Sequence, residues 1–237
     1  MRKNMIRLLL VVILGIAAIL MLNPKYVGAK SISVPDNLGN IHTFTYWDKI
    51  NWSGDCKQLI NYGNKNNYIS NVNGIITYGE FFAGALTSTF GQVGDMLLII
   101  QNDNSVYPVI MADTKNQSDN NCSKWGHQNG QCIVEFHILY SARKSLYGKS
   151  GGYISEAINK PIKKAVNLGS IYNDDAKYLI NAKRACLDNG LENYTLLISP
   201  YKTVKIERNK PKISYHVNMY RQDKKPIYHK NTFLMIG

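Results

Sequence analysis

The chain has 237 residues, enough for one sizeable domain or two small ones, and 45% of them are apolar. Its 28 Lys or Arg against 16 Asp or Glu give a formal charge of +12, which favours an anionic partner and argues against an acidic solvating chain.

The first element is a leader. Arg2, Lys3 and Arg7 precede an apolar run from Leu8 to Leu22, and Val27-Gly28-Ala29 supplies small residues for cleavage. The run of 15 residues is short of the roughly 18 to 20 that span a bilayer, so a signal peptide cut after Ala29 is expected, with a retained membrane anchor as the competing reading. Either way the remainder is secreted or extracytoplasmic. Loss of Arg2, Lys3, Arg7 and Lys25 would lower the charge from +12 to +8. The partners expected are then peptidoglycan or another anionic wall polymer, or a membrane surface, and not nucleic acid.

Residues 30–74 read as an N-terminal linker and extension. "SISVPDNLGN" carries the breakers Pro35 and Gly39, "IHTFTYWDKI" suggests a strand, and "GDCKQLINYG" a short helical turn ended by Gly63. "NKNNYISNVNG" reads as a polar, turn-prone insertion. Residues 75–140 form the most regular block. "GIITYGEFFAGALTSTFG" predicts one or two strands, "GDMLLIIQ" a buried strand, and "VYPVIMAD" a further strand in which Pro108 indicates an edge or a bulge. In "QCIVEFHILY", Cys132, Val134, Phe136 and Ile138 point towards a core, and Glu135 and His137 share the other face.

Residues 141–237 read as a helix plus a basic β region. The stretch from Ala142 to Gly169 is loose, with a helix broken by Pro161. "NDDAKYLINAKRACLDNG" is a better helix, opened by Asp174 and Asp175, with Ala176, Leu179, Ile180, Cys186 and Leu187 on one stripe. The tail from residue 201 holds nine Lys or Arg and two acidic residues.

Four cysteines in an exported chain predict two disulfides. Cys122 and Cys132 flank one loop and form the preferred pair, leaving Cys56 with Cys186. No C-x-x-C pair is present, and Asp113, His127 and His137 lack zinc-site spacing, so neither a metal nor a cofactor is expected.

"GDMLLIIQNDNSVYPVIMADTK" followed by "WGHQNGQCIVEF" resembles the double-psi β-barrel cell-wall enzymes, which include MltA-like and RlpA-like lytic transglycosylases and the 3D domains. Gly94 leads the strand, Ala112-Asp113-Thr114 ends the next one, Gly130 follows, and Glu135 lies in the last strand. Lys115 stands where those domains have glycine, and Glu135 where an Asp is usual. The resemblance implies a mainly β (α+β) fold: a small six-stranded double-psi-type barrel with an additional helix and a C-terminal β segment.

It also implies cleavage of peptidoglycan glycan strands, with Asp113 as general acid and then base and with Glu135 and His127 in support. Aromatic stacking on sugar rings would fall to Trp125, Tyr107 and Tyr78. The plainer alternatives are a strand-end Asp113 closing its own turn, core aromatics, and a Glu135–His137 polar pair. At the level of function, the alternative is a non-catalytic surface protein that binds wall, membrane or a protein partner. "SGDCKQL" also resembles the cysteine-bearing helix start of NlpC/P60 wall peptidases. The histidine those enzymes need after the "GD" segment is missing, so Cys56 reads better as a half-cystine.

Overall fold

Eleven strands between residues 30 and 205 join in one mixed sheet in the computed structural model, which describes residues 29–119, 121–147, 157–173 and 177–208. The leader and most of the basic tail lie outside the described residues. The described residues up to Ile206 belong to one unit.

The strands are β1 (Lys30–Ser33), β2 (Thr43–Tyr46), β3 (Ile69–Val72), β4 (Ile75–Tyr78), β5 (Phe81–Leu86), β6 (Asp95–Gln101), β7 (Ser105–Thr114), β8 (Glu135–Ile138), β9 (Ile162–Ser170), β10 (Thr195–Ser199) and β11 (Lys202–Lys205). The α-helices are α1 (Gly54–Lys65), α2 (Arg143–Tyr147) and α3 (Ala182–Asp188). The main path through the sheet is β1-β9-β6-β7-β5-β4-β8-β2, with β10 on β7, β11 on β10 and β3 on β4. Pairs β5–β7, β7–β10 and β2–β8 are parallel.

The fold is therefore mainly β with few helices, as expected, but a closed six-stranded barrel is not formed. The reason lies in β9, which pairs with β6 and in turn carries β1, so the sheet extends outward where a barrel would close. β9 occupies the stretch read as loose. Pro161 does not break a helix there; it directly precedes a strand whose Lys163 and Lys164 hide the apolar period. β1 likewise replaces the expected linker, with Ile32 and Val34 buried at alternate positions. The supposed insertion forms β3, folded onto β4 through Asn73 and Gly74 at φ 54° and 87°. Asn-Gly suits such a hairpin because both turn positions need positive φ.

Two apolar layers cover the sheet, one on each face. Along β6, Met96, Leu98 and Ile100 enter one layer and Leu97 and Ile99 the other, so an unbroken apolar run is what this strand requires. Pro108 is not at an edge: β7 lies inside the sheet. On one side β7 pairs with β10 at Ser105 and Val106 and with β5 from Val109, so the missing N–H is tolerated at the changeover.

α1 packs on the first face through Leu59 and runs past Gly63, where the sequence suggested it would stop. A Cβ at Gly63 would lie 2.6 Å from the Tyr78 ring, so the missing side chain lets helix and strand approach. α3 is shorter than expected. The Asn181 side chain caps it by accepting from the Arg184 N–H, and Ile180, assigned to the apolar stripe, is 66% exposed. Asp174, Asp175 and Ala176 lie outside the described residues.

Candidate functional site

The site begins with a fault in β7. Gly84 of β5 pairs with Met111, and Ala85 pairs with Asp113 rather than Ala112. This bulge inserts Ala112 and turns Asp113 onto the face that carries Ala85. Ala85 also pairs with Glu135 of β8, on its other side. Cross-strand partners share a face, so the two carboxylates flank one alanine on the α1 side of the sheet. Two strand spacings of about 4.8 Å put their Cα atoms roughly 10 Å apart.

Each carboxylate is held by a different set of donors. Asp113 is half-buried, and its Oδ1 accepts from the Thr114 N–H at 2.7 Å and from the Cys56 thiol at 3.1 Å. Cys56 sits in the first turn of α1. Burial, then the hydrogen bond to Asp113 and its charge, push the thiol up to about 12, so it stays a proton donor. Glu135 Oε1 accepts a short bond from the Thr45 hydroxyl. Its Oε2 faces His127 Nδ1 at 3.3 Å and the Lys115 ammonium at 4.0 Å.

Lys115, the residue standing in the glycine position of the resembled enzymes, is buried. Its Nζ donates to the Cys132 carbonyl at 2.9 Å and to the Cys132 sulfur at 3.2 Å. Its charge adds to burial in holding the His127 imidazole below its ordinary range, against the pull of Glu135. The loop carrying His127 closes through Gly126, where a Cβ would meet the Cys132 carbonyl oxygen at 2.1 Å.

His137 shares the face of Glu135 and is 1% exposed, stacked on Trp52 with ring centroids 4.9 Å apart. Among the described residues its Nε2 has no hydrogen-bond partner. Burial pushes the imidazole down to about 4, although the charges of Asp113 and Glu135 pull the other way. The ring is therefore neutral at pH 7.

His127 thus contacts Glu135, and Asp113 lies across Ala85 from Glu135. The three aromatics separate. Trp125 is half-buried against Phe90, with the Lys124 ammonium over its ring. Tyr107 is fully buried in the opposite apolar layer beside His42 and Phe136, leaving no ring face for a sugar. Tyr78 is 1% exposed beneath α1, and burial pushes its hydroxyl above the ordinary phenol range, with smaller contributions from Tyr172 and Cys56.

The expected disulfides are not formed, and all four cysteines are free thiols. Cys132 is engaged by Lys115 and by Thr43, Cys122 faces the Ser123 carbonyl, Cys56 is turned to Asp113, and Cys186 is buried in the core under α3. The half-cystine reading of Cys56 gives way to a contact with the leading acid. Trp52, Thr45 and Tyr172 had no local signal in sequence. Tyr172 is 47% exposed, packs edge-on against Tyr62 of α1 and interacts electrostatically with Asp55 and Cys56.

Among the described residues, no group of three or more His, Cys, Asp or Glu side chains is arranged to hold a metal ion. No described helix is long and apolar enough to cross a membrane. No family model, curated protein or solved structure matches the chain.

Proposed function

We propose that the chain is an exported cell-wall-active protein that cuts the glycan strands of peptidoglycan by carboxylate acid/base chemistry, with Asp113 as the reacting group. The observation that carries this reading is the bulge at Ala112, which aims a half-exposed Asp113 onto the same face as Glu135, across Ala85. Bulges that re-aim one side chain are over-represented beside active sites. We read β4–β8 as the part related to the double-psi-type enzymes, opened into a wider sheet by β9 and β1.

In this chemistry the protonated Asp113 gives its proton to the glycosidic oxygen as the bond from that oxygen to the anomeric carbon breaks. The resulting carboxylate then takes the proton of a substrate hydroxyl as that oxygen bonds to the anomeric carbon. The product is an anhydro sugar, and Asp113 regains its proton. Glu135, held by the Thr45 hydroxyl and facing His127 and Lys115, stabilises positive charge at the anomeric centre. The exposed Tyr172 takes the sugar-stacking role left empty by the buried Tyr107 and Tyr78.

The test is incubation of the purified protein with peptidoglycan and analysis of the soluble fragments. Anhydro-muropeptides are expected, with release falling at least about 100-fold in Asp113→Asn, the usual scale for loss of a general acid. Wall sedimentation without fragment release, indifferent to that substitution, would establish the non-catalytic binder instead.

A further inference from the structure

We infer that Cys56 is a positioning residue for Asp113: its thiol pins Oδ1 and leaves Oδ2 as the oxygen that exchanges protons with a ligand. The inference rests on the reading of Asp113 given above, and it deepens that reading by assigning the two carboxyl oxygens different work.

The geometry carries the argument. Oδ1 already accepts from the Thr114 N–H at 2.7 Å, and the Cys56 thiol adds a second donor at 3.1 Å from another element. Two donors converging on one oxygen from β7 and from α1 fix the carboxyl plane, which a strand-end side chain on its own would not hold. The thiol comes from the first turn of a 12-residue helix that is anchored by Leu59 and Ile60, so it is not free to follow the carboxylate. His137 lies beside the same carboxylates, buried against Trp52.

The charge environment agrees. Other titratable groups facing the pair are Asp55 on α1, His137 and Glu135 on β8, Tyr78 on β4, and Tyr172 after β9. Burial and the Asp113 carboxylate both raise the thiol, so at neutral pH it remains S–H and donates. A cysteine that stays protonated is a poor nucleophile, which separates this role from thiol catalysis.

Two measurements on the full-length protein test the assignment. The first is alkylation of Cys56 by iodoacetamide, followed peptide by peptide across pH. In Asp113→Asn the thiol loses a charge that holds its proton, and Cys56 is expected to react roughly tenfold faster at a given pH, the change in thiolate that a one-unit shift produces. Cys186, buried in the core, must stay unreactive in both proteins, which shows that the fold is intact. An unchanged Cys56 rate with Cys186 still protected would overturn the inference.

The second is the pH profile of glycan cleavage. Cys56→Ala removes a donor to the ionised carboxyl, so the profile is expected to move to higher pH, and Cys56→Ser is expected to restore it. A profile that Cys56→Ala leaves in place would overturn the positioning role. If the wild-type protein releases no fragments, the glycan-cleavage reading fails on its own, and the alkylation series still decides whether Cys56 and Asp113 are coupled.

Discussion

Asp113 would point away from Glu135 if Ala112 paired with Ala85. One inserted residue places the acid, and no local signal in "VIMADTK" announces it, because a bulge is defined by the neighbouring strand. His137 was visible as the face-mate of Glu135, since alternation along a strand is local. Its burial was not, because Trp52 comes from 85 positions earlier in the chain. That burial has a measurable consequence. The folded imidazole titrates at about 4 and the unfolded one near 6.5, so between these values the unfolded chain binds the extra proton. Stability is therefore full above pH 6.5 and is lost as pH falls towards 4, by up to about 3 kcal/mol from this group. Urea midpoints measured across that range are expected to fall, and His137→Gln is expected to flatten the slope.

At the scale of elements, the strands richest in apolar residues were the most legible. β6 follows from its unbroken run of Met, Leu and Ile, β7 from the apolar residues around Pro108, and β8 from alternation. β9 escaped because lysines interrupt its pattern, and its identity as a strand depends on long pairings with β6 and β1. α1 was legible as helix but not in its length. Glycine in a helix interior costs up to about 1 kcal/mol relative to alanine, so propensity alone stops the helix at Gly63 or favours replacing that residue. Packing reverses the preference. A Cβ there meets Tyr78 at 2.6 Å and Ile69 at 2.7 Å, and overpacking of this kind costs about 1 to 3 kcal/mol. Gly63→Ala is expected to lower stability by a net amount of up to about 2 kcal/mol, read as a reduced urea midpoint with an unchanged slope.

For the molecule as a whole, the charge of +12, or +8 once the expected leader is removed, predicts salt-sensitive adhesion to an anionic wall or lipid surface. Bound protein in a wall sedimentation assay is expected to decrease steadily as ionic strength rises from about 0.05 to 0.5 M, because the Debye length shrinks below contact-scale separations. Adhesion that ignores salt would show that the basic excess is merely solvated surface. This measurement is independent of Asp113, so it tests adhesion separately from the proposed cleavage.

Composition and periodicity were sufficient to determine a mainly β chain and the strands of its centre, because apolar content and alternation are properties of neighbouring residues. The open sheet, the bulge that turns Asp113, the Cys56 thiol against it, and four free cysteines where two bridges were expected were decided only by tertiary structure. Each depends on the pairing of segments far apart in the chain, and such pairing leaves no mark on either segment alone.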